Sequence, residues 1–511
     1  MHRLALALSM LAVVSCARAK VAAPAAGLAP PNIVVFLVDD LGWQDVEIAL
    51  AASPTRLNAR YRTPALRRLA VQGMTFTDAY AAAPVCTPTR VALITGRTPA
   101  ATHVTNWTQH RTGETSARLP GLLPPHWARN GLSPDPLVDH AFHGPMLPAL
   151  LRASGYRTIH VGKAHWGATN TPGADPRALG FDENIGGSSA GQPGSYLASK
   201  HFSSGPGEGK FRDVPGLEKY YDTGTFLTEA LTREATAAIA RAVAARTPFF
   251  LHLAHFAVHT PIEPDARFVQ HYLDAGLDPR EAAYAALIEG VDKSLGDVMQ
   301  ALDRLGVSEQ TLIIFASDNG GLAAHSRGEA PHTANAPLRS GKGSAYEGGV
   351  RVPFVVAWPG HVVGGTRSAA PVITDDLFPT LLRVAGVPRS AEATRGIRGR
   401  DLMPLLTGPP SAEALERPLY WHYPHFWGVA GPGIEPYSAI RVGQWKLIFY
   451  YSDRRSELYD LASDIGESRD LAPTEPGVAR RLRGLLRAAL IADGAQMPIA
   501  EGTGRPVELP R

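Results

Sequence analysis

Cysteine is almost absent from this chain: among 511 residues only Cys16 and Cys86 carry thiols. So few thiols, one of them inside a leader-like segment, exclude a disulfide framework. Long apolar runs are missing too. Leu4–Val14 has the length of a signal-sequence core and is too short to cross a bilayer, and no later stretch is long and apolar enough to be a transmembrane helix. Nor is there an excess of either charge, since 50 Lys and Arg face 47 Asp and Glu for a formal net charge of +3. With neither a basic stripe nor aromatic residues interleaved with basic ones, nucleic acid is not expected as a partner. Repeats of the solenoid kind are lacking as well.

What remains is an ordinary globular composition, 45% hydrophobic and 19% charged. It is long enough for two domains, or one large domain with an appendage. His2 and Arg3 precede the apolar run as a short basic region. Val13-Val14-Ser15-Cys16 resembles a lipobox that would lipidate Cys16, whereas Ala17-Arg18-Ala19 is an A-x-A cleavage site that would remove it. Both readings predict export, to the periplasm, the exterior or a lipid anchor at Cys16. Cys86 is then left alone, and it is either a small buried hydrophobe or a reactive group.

Asn32–Val38 is a continuous apolar, β-branched run, the pattern of a strand buried on both faces. Similar runs recur at Thr158–Val161, Phe249–Ala254, Thr311–Ala316 and Pro353–Trp358. Helical periodicity lies between them at Pro64–Gln72, Met146–Ala153, Thr225–Ala245, Ala282–Leu305 and Asp375–Ala385. The alternation predicts an α/β fold with a large, mostly parallel central sheet flanked by helices. Beyond residues 386–412 the pattern changes to strand-like Ser438–Tyr451 with a turn at Gly443, then Glu457–Leu461, then a helix near Val478–Ala492. A smaller C-terminal α+β subdomain with an antiparallel sheet follows. The expected division is a leader over 1–19, a catalytic domain over 28–400 and the small subdomain over 411–511. Residues 98–145 and 166–216 are rich in Pro, Gly, His or Ser with little periodicity, and are expected as long surface insertions that shape a pocket.

In open parallel sheets, ligands bind beyond the carboxyl ends of the strands. Those ends carry Asp39-Asp40, Lys163-Ala164-His165, His259, and Asp318-Asn319. Three carboxylates and an amide form an oxygen-rich set suited to a hard cation such as Ca²⁺ or Mg²⁺. The segment Cys86-Thr87-Pro88-Thr89-Arg90 has Pro88 at a favoured first helical position, Thr87 as its cap and Gly96 as its stop. That places Cys86 at a helix N-terminus, where free N–H groups favour anions, with Arg90 one turn on.

Cys86-Thr87-Pro88-Thr89-Arg90 followed by Thr95-Gly96-Arg97 resembles the signature of the formylglycine-dependent sulfatases, of the alkaline-phosphatase-like superfamily. The resemblance extends, in family order, over Pro31–Gly42, Gly162–Gly167, His259-Thr260-Pro261, Ser317–Gly320 and Gly341–Pro353, and to Ala439–Leu447 and Glu457–Leu461. It implies that a separate maturation enzyme, a transient partner, oxidises Cys86 to formylglycine. The hydrated aldehyde then attacks the sulfur of a sulfate ester, the alcohol leaves, and the second hydroxyl expels sulfate. By the same resemblance Asp39, Asp40, Asp318 and Asn319, with residue 86, hold one divalent cation, calcium first. Arg90 stabilises the nucleophile, Lys163 and Lys342 hold sulfate oxygens, His165 takes the proton in sulfate elimination, and His259 faces the leaving group. The cation with Arg90, Lys163 and Lys342 outweighs the three aspartates, so the site should attract an anion.

Thr89 stands where many members have Ser, and Ala164 separates Lys163 from His165. Neither removes a functional group, although Thr89 bears on recognition by the maturation enzyme. The expected substrate is a sulfated glycan, an aryl sulfate or another small ester. A phosphodiester or phosphonate hydrolase of the same superfamily is the rival reading, and a silent protein that binds a sulfated ligand is a third. Trp421, His422, His425 and Trp427 are expected in a loop, lining a sugar or aryl pocket or packing without a role. His255 competes with His259 for the site. No role is expected of His103, His110, His126, His140, His143 or His201.

Overall fold

The computed structural model describes residues 30–205, 207–322, 334–388 and 394–510. The expected leader, with its lipobox and Cys16, lies outside them. The central sheet comprises β1 (Asn32–Val38), β2 (Met74–Phe76), β3 (Arg157–Gly162), β4 (Glu183–Ile185), β5 (Phe249–Ala254), β6 (Thr311–Ser317), β7 (Phe354–Ala357) and β8 (Thr366–Ser368). Their order across the sheet is β8-β2-β7-β6-β1-β5-β3-β4. β1 sits between β5 and β6 and is parallel to both, and β3 is parallel to β5 and β4. β7 runs against its neighbours β6 and β2, while β8 is parallel to β2.

The seven residues of β1 are all buried because helices cover both faces. Val34, Phe36 and Val38 pack into one core with α1 (Pro64–Gln72), α4 (Leu227–Ala244) and α5 (Pro279–Arg304). Ile33, Val35 and Leu37 face the other core, made with α2 (Cys86–Thr95), α3 (Leu147–Ala153) and α6 (Leu377–Val384). Each such side chain contributes about 1.5–3 kcal/mol of burial. Helix α5 begins three residues before its apolar pattern does. The Asp278 side chain accepts from the N–H groups of Arg280 and Glu281, and Pro279 occupies the first turn.

A second, antiparallel sheet follows in chain order: β9 (Leu419–Tyr423), β10 (Tyr437–Val442), β11 (Trp445–Tyr450) and β12 (Ser456–Asp460). Gly443, at φ 57°, makes the turn between β10 and β11. Leu482, Leu486 and Leu490 of α7 (Pro476–Ala492) pack on Ile440, Leu447 and Phe449. The opposite face puts Trp421, Tyr423, Tyr437 and Tyr450 against Tyr80, Val85 and Ala92. The small sheet therefore backs the segment that starts α2 and steadies the entry to the site.

Candidate active site

Helix α2 begins at Cys86 itself, with extended Val85 as its cap and no side-chain cap. This corrects the expected start at Pro88. The Thr89 hydroxyl accepts from the Ala83 N–H and reaches the Ala83 carbonyl, which fixes the approach of Pro84 and Val85 two residues earlier. Thr87, expected to cap the helix, instead accepts the N–H of Thr108. Cys86 thus lies in the first turn, where backbone N–H groups have no helical partner. The helix stops at Gly96, whose φ is 64° and where a Cβ would stand 2.8 Å from the Phe378 ring.

β1 and β6 bring Asp39, Asp40, Asp318 and Asn319 together, all fully buried. Asp40 holds a left-handed φ of 60° and donates its N–H to Asp318 Oδ1 at 3.2 Å. Three cations interlock with these carboxylates. Lys163 Nζ lies 2.6 Å from Asp39 Oδ2, Lys342 Nζ 2.6 Å from Asp40 Oδ1, and Arg90 Nε 2.8 Å from Asp318 Oδ2. Cys86 Sγ stands 3.7 Å from Asp39 Oδ1, and His259 Nε2 3.6 Å from Asp40 Oδ2. Asn319 Nδ2 donates to Asp40 Oδ1 at 2.7 Å.

The charges here are crowded. Burial pushes the Asp39 carboxyl well above the usual range, and the neighbouring Asp318 charge adds to the effect against the pull of Lys163. Burial acts on Asp40 in the same direction, but Lys342, His259 and Lys163 outweigh it and hold that carboxyl low. Asp318 is likewise held low, with Arg90 and Lys163 overcoming burial. Burial works against the charge of Lys342, yet Asp40 and the other nearby negative groups hold its ammonium well above the ordinary value.

His165 lines the same cleft as Cys86, His259 and Lys342. Its Nε2 donates to the Thr108 carbonyl at 2.8 Å, while Nδ1 is buried without a hydrogen-bond partner among the described residues. Burial, then the charge of Lys163, pushes its pKa well down, so the ring is a neutral base. Burial and Lys342 lower His259 as well. The Nδ1 of His259 meets the Thr260 carbonyl at 3.0 Å, which leaves Nε2 for the site. His255 is no competitor: it is buried against Phe36 and bonds Ser294 Oγ at 2.8 Å.

The cleft above this floor measures about 200 Å³. Its walls come from both insertions, through Trp107, Thr108 and Gln109 on one side and Ser189, Gly191, Gln192, Phe211 and Arg212 on the other. Sequence reasoning placed the insertions at a pocket but picked none of these residues, since the segments carry no periodicity to rank them. Of the aromatic group expected in a C-terminal loop, Trp427 reaches the cleft and crosses Lys342 at 5.8 Å. The others turn away. Trp421 and His422 belong to β9, where Trp421 donates to the Ala81 carbonyl and His422 bonds Ser438 Oγ and the Gln496 carbonyl. His425 is buried on Thr105 Oγ1.

The Sulfatase family model matches residues 31–387 of this chain. The chain belongs to the sulfatase family. A second model, "N-sulphoglucosamine sulphohydrolase, C-terminal", matches residues 341–487. N-acetylgalactosamine-6-sulfatase of Mus musculus is 31% identical over 404 residues, covering 77% of this chain and 69% of its own length. A sulfatase of Formosa agariphila is 30% identical over 521 aligned positions, covering 91% and 89%. Among solved structures, that of Ps i-CgsB superimposes with a TM-score of 0.71 at 28% identity, over 90% of this chain and 93% of that one. This sulfatase is accordingly a sulfuric ester hydrolase of the alkaline-phosphatase-like fold, with the parallel sheet and the small C-terminal sheet that its sequence predicts.

The residues at the floor of the sulfatase cleft fit a hard divalent cation. Ligand atoms of Asp39, Cys86 and Asp318 lie within 4.8 Å of one another, as do those of Asp40, Cys86 and His259. Asn319 Oδ1 is buried with no hydrogen-bond partner among the described residues, an acceptor left free for a cation.

Proposed function

We propose that this sulfatase hydrolyses sulfate esters of a glycan outside the cytoplasm, with formylglycine at position 86 as its nucleophile. The carrying observation is the convergence, at one buried floor, of the only described cysteine, three carboxylates and three cationic side chains beneath an open cleft. Asp39, Asp40, Asp318 and Asn319, with residue 86, would hold one divalent cation, calcium first and magnesium second. Bound there, the cation supplies Lewis-acid polarisation of the sulfate and favours ionisation of the nucleophile. Formylglycine, once formed, supplies a hydrated aldehyde able to attack sulfur and to release sulfate without water attacking a covalent intermediate.

The chain's own groups carry the rest. Lys163 and Lys342 each spend part of their three-donor capacity on a carboxylate, and the remaining protons serve sulfate oxygens. Arg90 is anchored by Asp318 and by the Lys163 carbonyl at 2.8 Å, which fixes its guanidinium beside residue 86. Its NH2 group is buried without a hydrogen-bond partner among the described residues, so a donor is free for the nucleophile. Neutral His165 accepts a proton, and His259 at the mouth serves the leaving group. The glycan reading draws on the relatives: one is named for an N-acetylgalactosamine sulfate, and a structure of Ps i-CgsB is titled as a complex with k-i-k-neocarrahexaose.

The test is free sulfate and free phosphate release from a mixed panel of sulfated glycans, aryl sulfates and phosphate esters, with co-expressed maturation enzyme and Ca²⁺. Sulfate release that vanishes in Cys86→Ala is the expected result. Phosphate release without sulfate would move the activity to the phosphoryl branch, and sulfate release undiminished in Cys86→Ala would overturn the nucleophile.

A further inference from the structure

The cleft contains one cation that the sulfate floor does not use. Arg212 closes a short helical turn within the second insertion and lines the cavity with Phe211, Gln192 and Gln109. Among the described residues no carboxylate lines the cavity with it. Its Nε is buried and has no hydrogen-bond partner among the described residues. The guanidinium lies 5.1 Å from the Phe211 ring centroid, a contact that leaves its in-plane donors free. Its carbonyl accepts the Gly194 N–H at 2.9 Å, tying the turn to the Gln192 loop and fixing where the side chain emanates.

A guanidinium offers a planar fork suited to a carboxylate or sulfate. The cavity of about 200 Å³ brings this fork into the same small space as the floor. We infer that Arg212 reads a second sulfate on the sugar whose sulfate is removed, so that the preferred substrate is a doubly sulfated glycan unit. The inference deepens the sulfatase reading and rests on it. It assigns specificity, not chemistry, to the residue.

Sulfate release is measured from regioisomeric hexose monosulfates and the corresponding disulfates, with the matured enzyme, Arg212→Gln and Arg212→Lys. The wild type is expected to favour the disulfate in kcat/KM by about tenfold. Arg212→Gln should collapse that ratio towards unity through KM for the disulfate, and Arg212→Lys should keep part of it. An unchanged ratio in Arg212→Gln, or an equal loss on both esters, overturns the assignment and leaves Arg212 a structural residue. Failure to release sulfate from any ester would count against the proposed function instead. The assignment is then decided by calorimetry on Cys86→Ala: about tenfold tighter binding of the disulfate, abolished in Cys86→Ala/Arg212→Gln, upholds it, and equal binding overturns it.

Discussion

Two nets of buried charge lie at opposite ends of the Lys342–Glu347 segment, and each sets three acids against three bases. At the cleft floor Asp39, Asp40 and Asp318 face Arg90, Lys163 and Lys342. Beneath the small sheet Asp78, Glu347 and Glu467 face Arg351, Arg441 and Lys446. In the second net Lys446 bridges Glu347 at 2.8 Å and Glu467 at 2.9 Å, Tyr80 donates to Glu347 at 2.7 Å, and the Tyr80 and Trp421 rings pack on Arg441 and Lys446. None of its six charged residues lines the cleft. Composition therefore does not distinguish a reactive cluster from a joint. Access does: Cys86, His165, His259 and Lys342 line the cleft, and Asn319 Oδ1, an Arg90 nitrogen and His165 Nδ1 have no hydrogen-bond partner among the described residues, whereas the one such atom of the joint, Glu467 Oε1, lies 2.9 Å from the Lys446 ammonium. One net opens on the cleft and is the one proposed to do chemistry, and the other welds the C-terminal sheet to the rest of the chain.

The largest effect that would sharpen this contrast is at the floor. Asp318→Ala should lower sulfate release by roughly 10³-fold or more, since it removes a proposed cation ligand and the anchor of Arg90. Removing one partner of a buried pair destabilises, but the loss of Asp318 also relieves its repulsion of Asp39, so the unfolding free energy should fall by only about 2 kcal/mol, as measured by denaturant titration. Near-wild-type turnover would break the comparison. At the joint the order should invert. Lys446→Met leaves Glu347 and Glu467 facing each other without their shared cation and should cost about 3–5 kcal/mol of stability, with turnover per folded molecule close to wild type. A Lys446→Met protein as stable as wild type would show that the joint bears no strain.

A smaller effect separates the two regions by pH. Burial lowers His422, on the face of the small sheet that packs towards α7, to about 4. Unfolded histidine takes up a proton near pH 6.5 and the folded one only near 4, so stability is lost as pH falls through that window. Between pH 7.5 and 5, wild type should lose about 2 kcal/mol more than His422→Gln, read from paired denaturant curves. The smallest effect belongs to the cleft wall. A Cβ on Gly191 would stand 2.6 Å from His165 Cε1, so Gly191→Ala should shift that ring and reduce kcat/KM by about tenfold.

The floor was legible in the sequence because strand ends in a parallel sheet are marked by the runs that precede them. NIVVFLV points straight at Asp39, and TLIIFAS at Asp318. The start of α2 was not, because it depends on Thr89 bonding back to Ala83, a local contact with no periodic signal. The wall was illegible for the same reason, and Arg212 emerges only when the second insertion folds over the cleft. Trp421 and His422 were misplaced because β9 is five residues long and lies beside a Pro/Gly-rich stretch that resembles a loop. The joint escaped notice altogether: Lys446 and Glu347 stand 99 residues apart and pair only where the small sheet packs on the helical turn at Glu347–Val350.

The most direct test of the central claim is the chemical state of residue 86. The enzyme is made with graded amounts of maturation enzyme, the fraction of Cys86 peptide carrying an aldehyde is measured by mass spectrometry after hydrazide trapping, and sulfate release is measured on the same samples. The account predicts turnover proportional to the aldehyde fraction and none from fully thiol protein. Full turnover with the Cys86 thiol intact would contradict it.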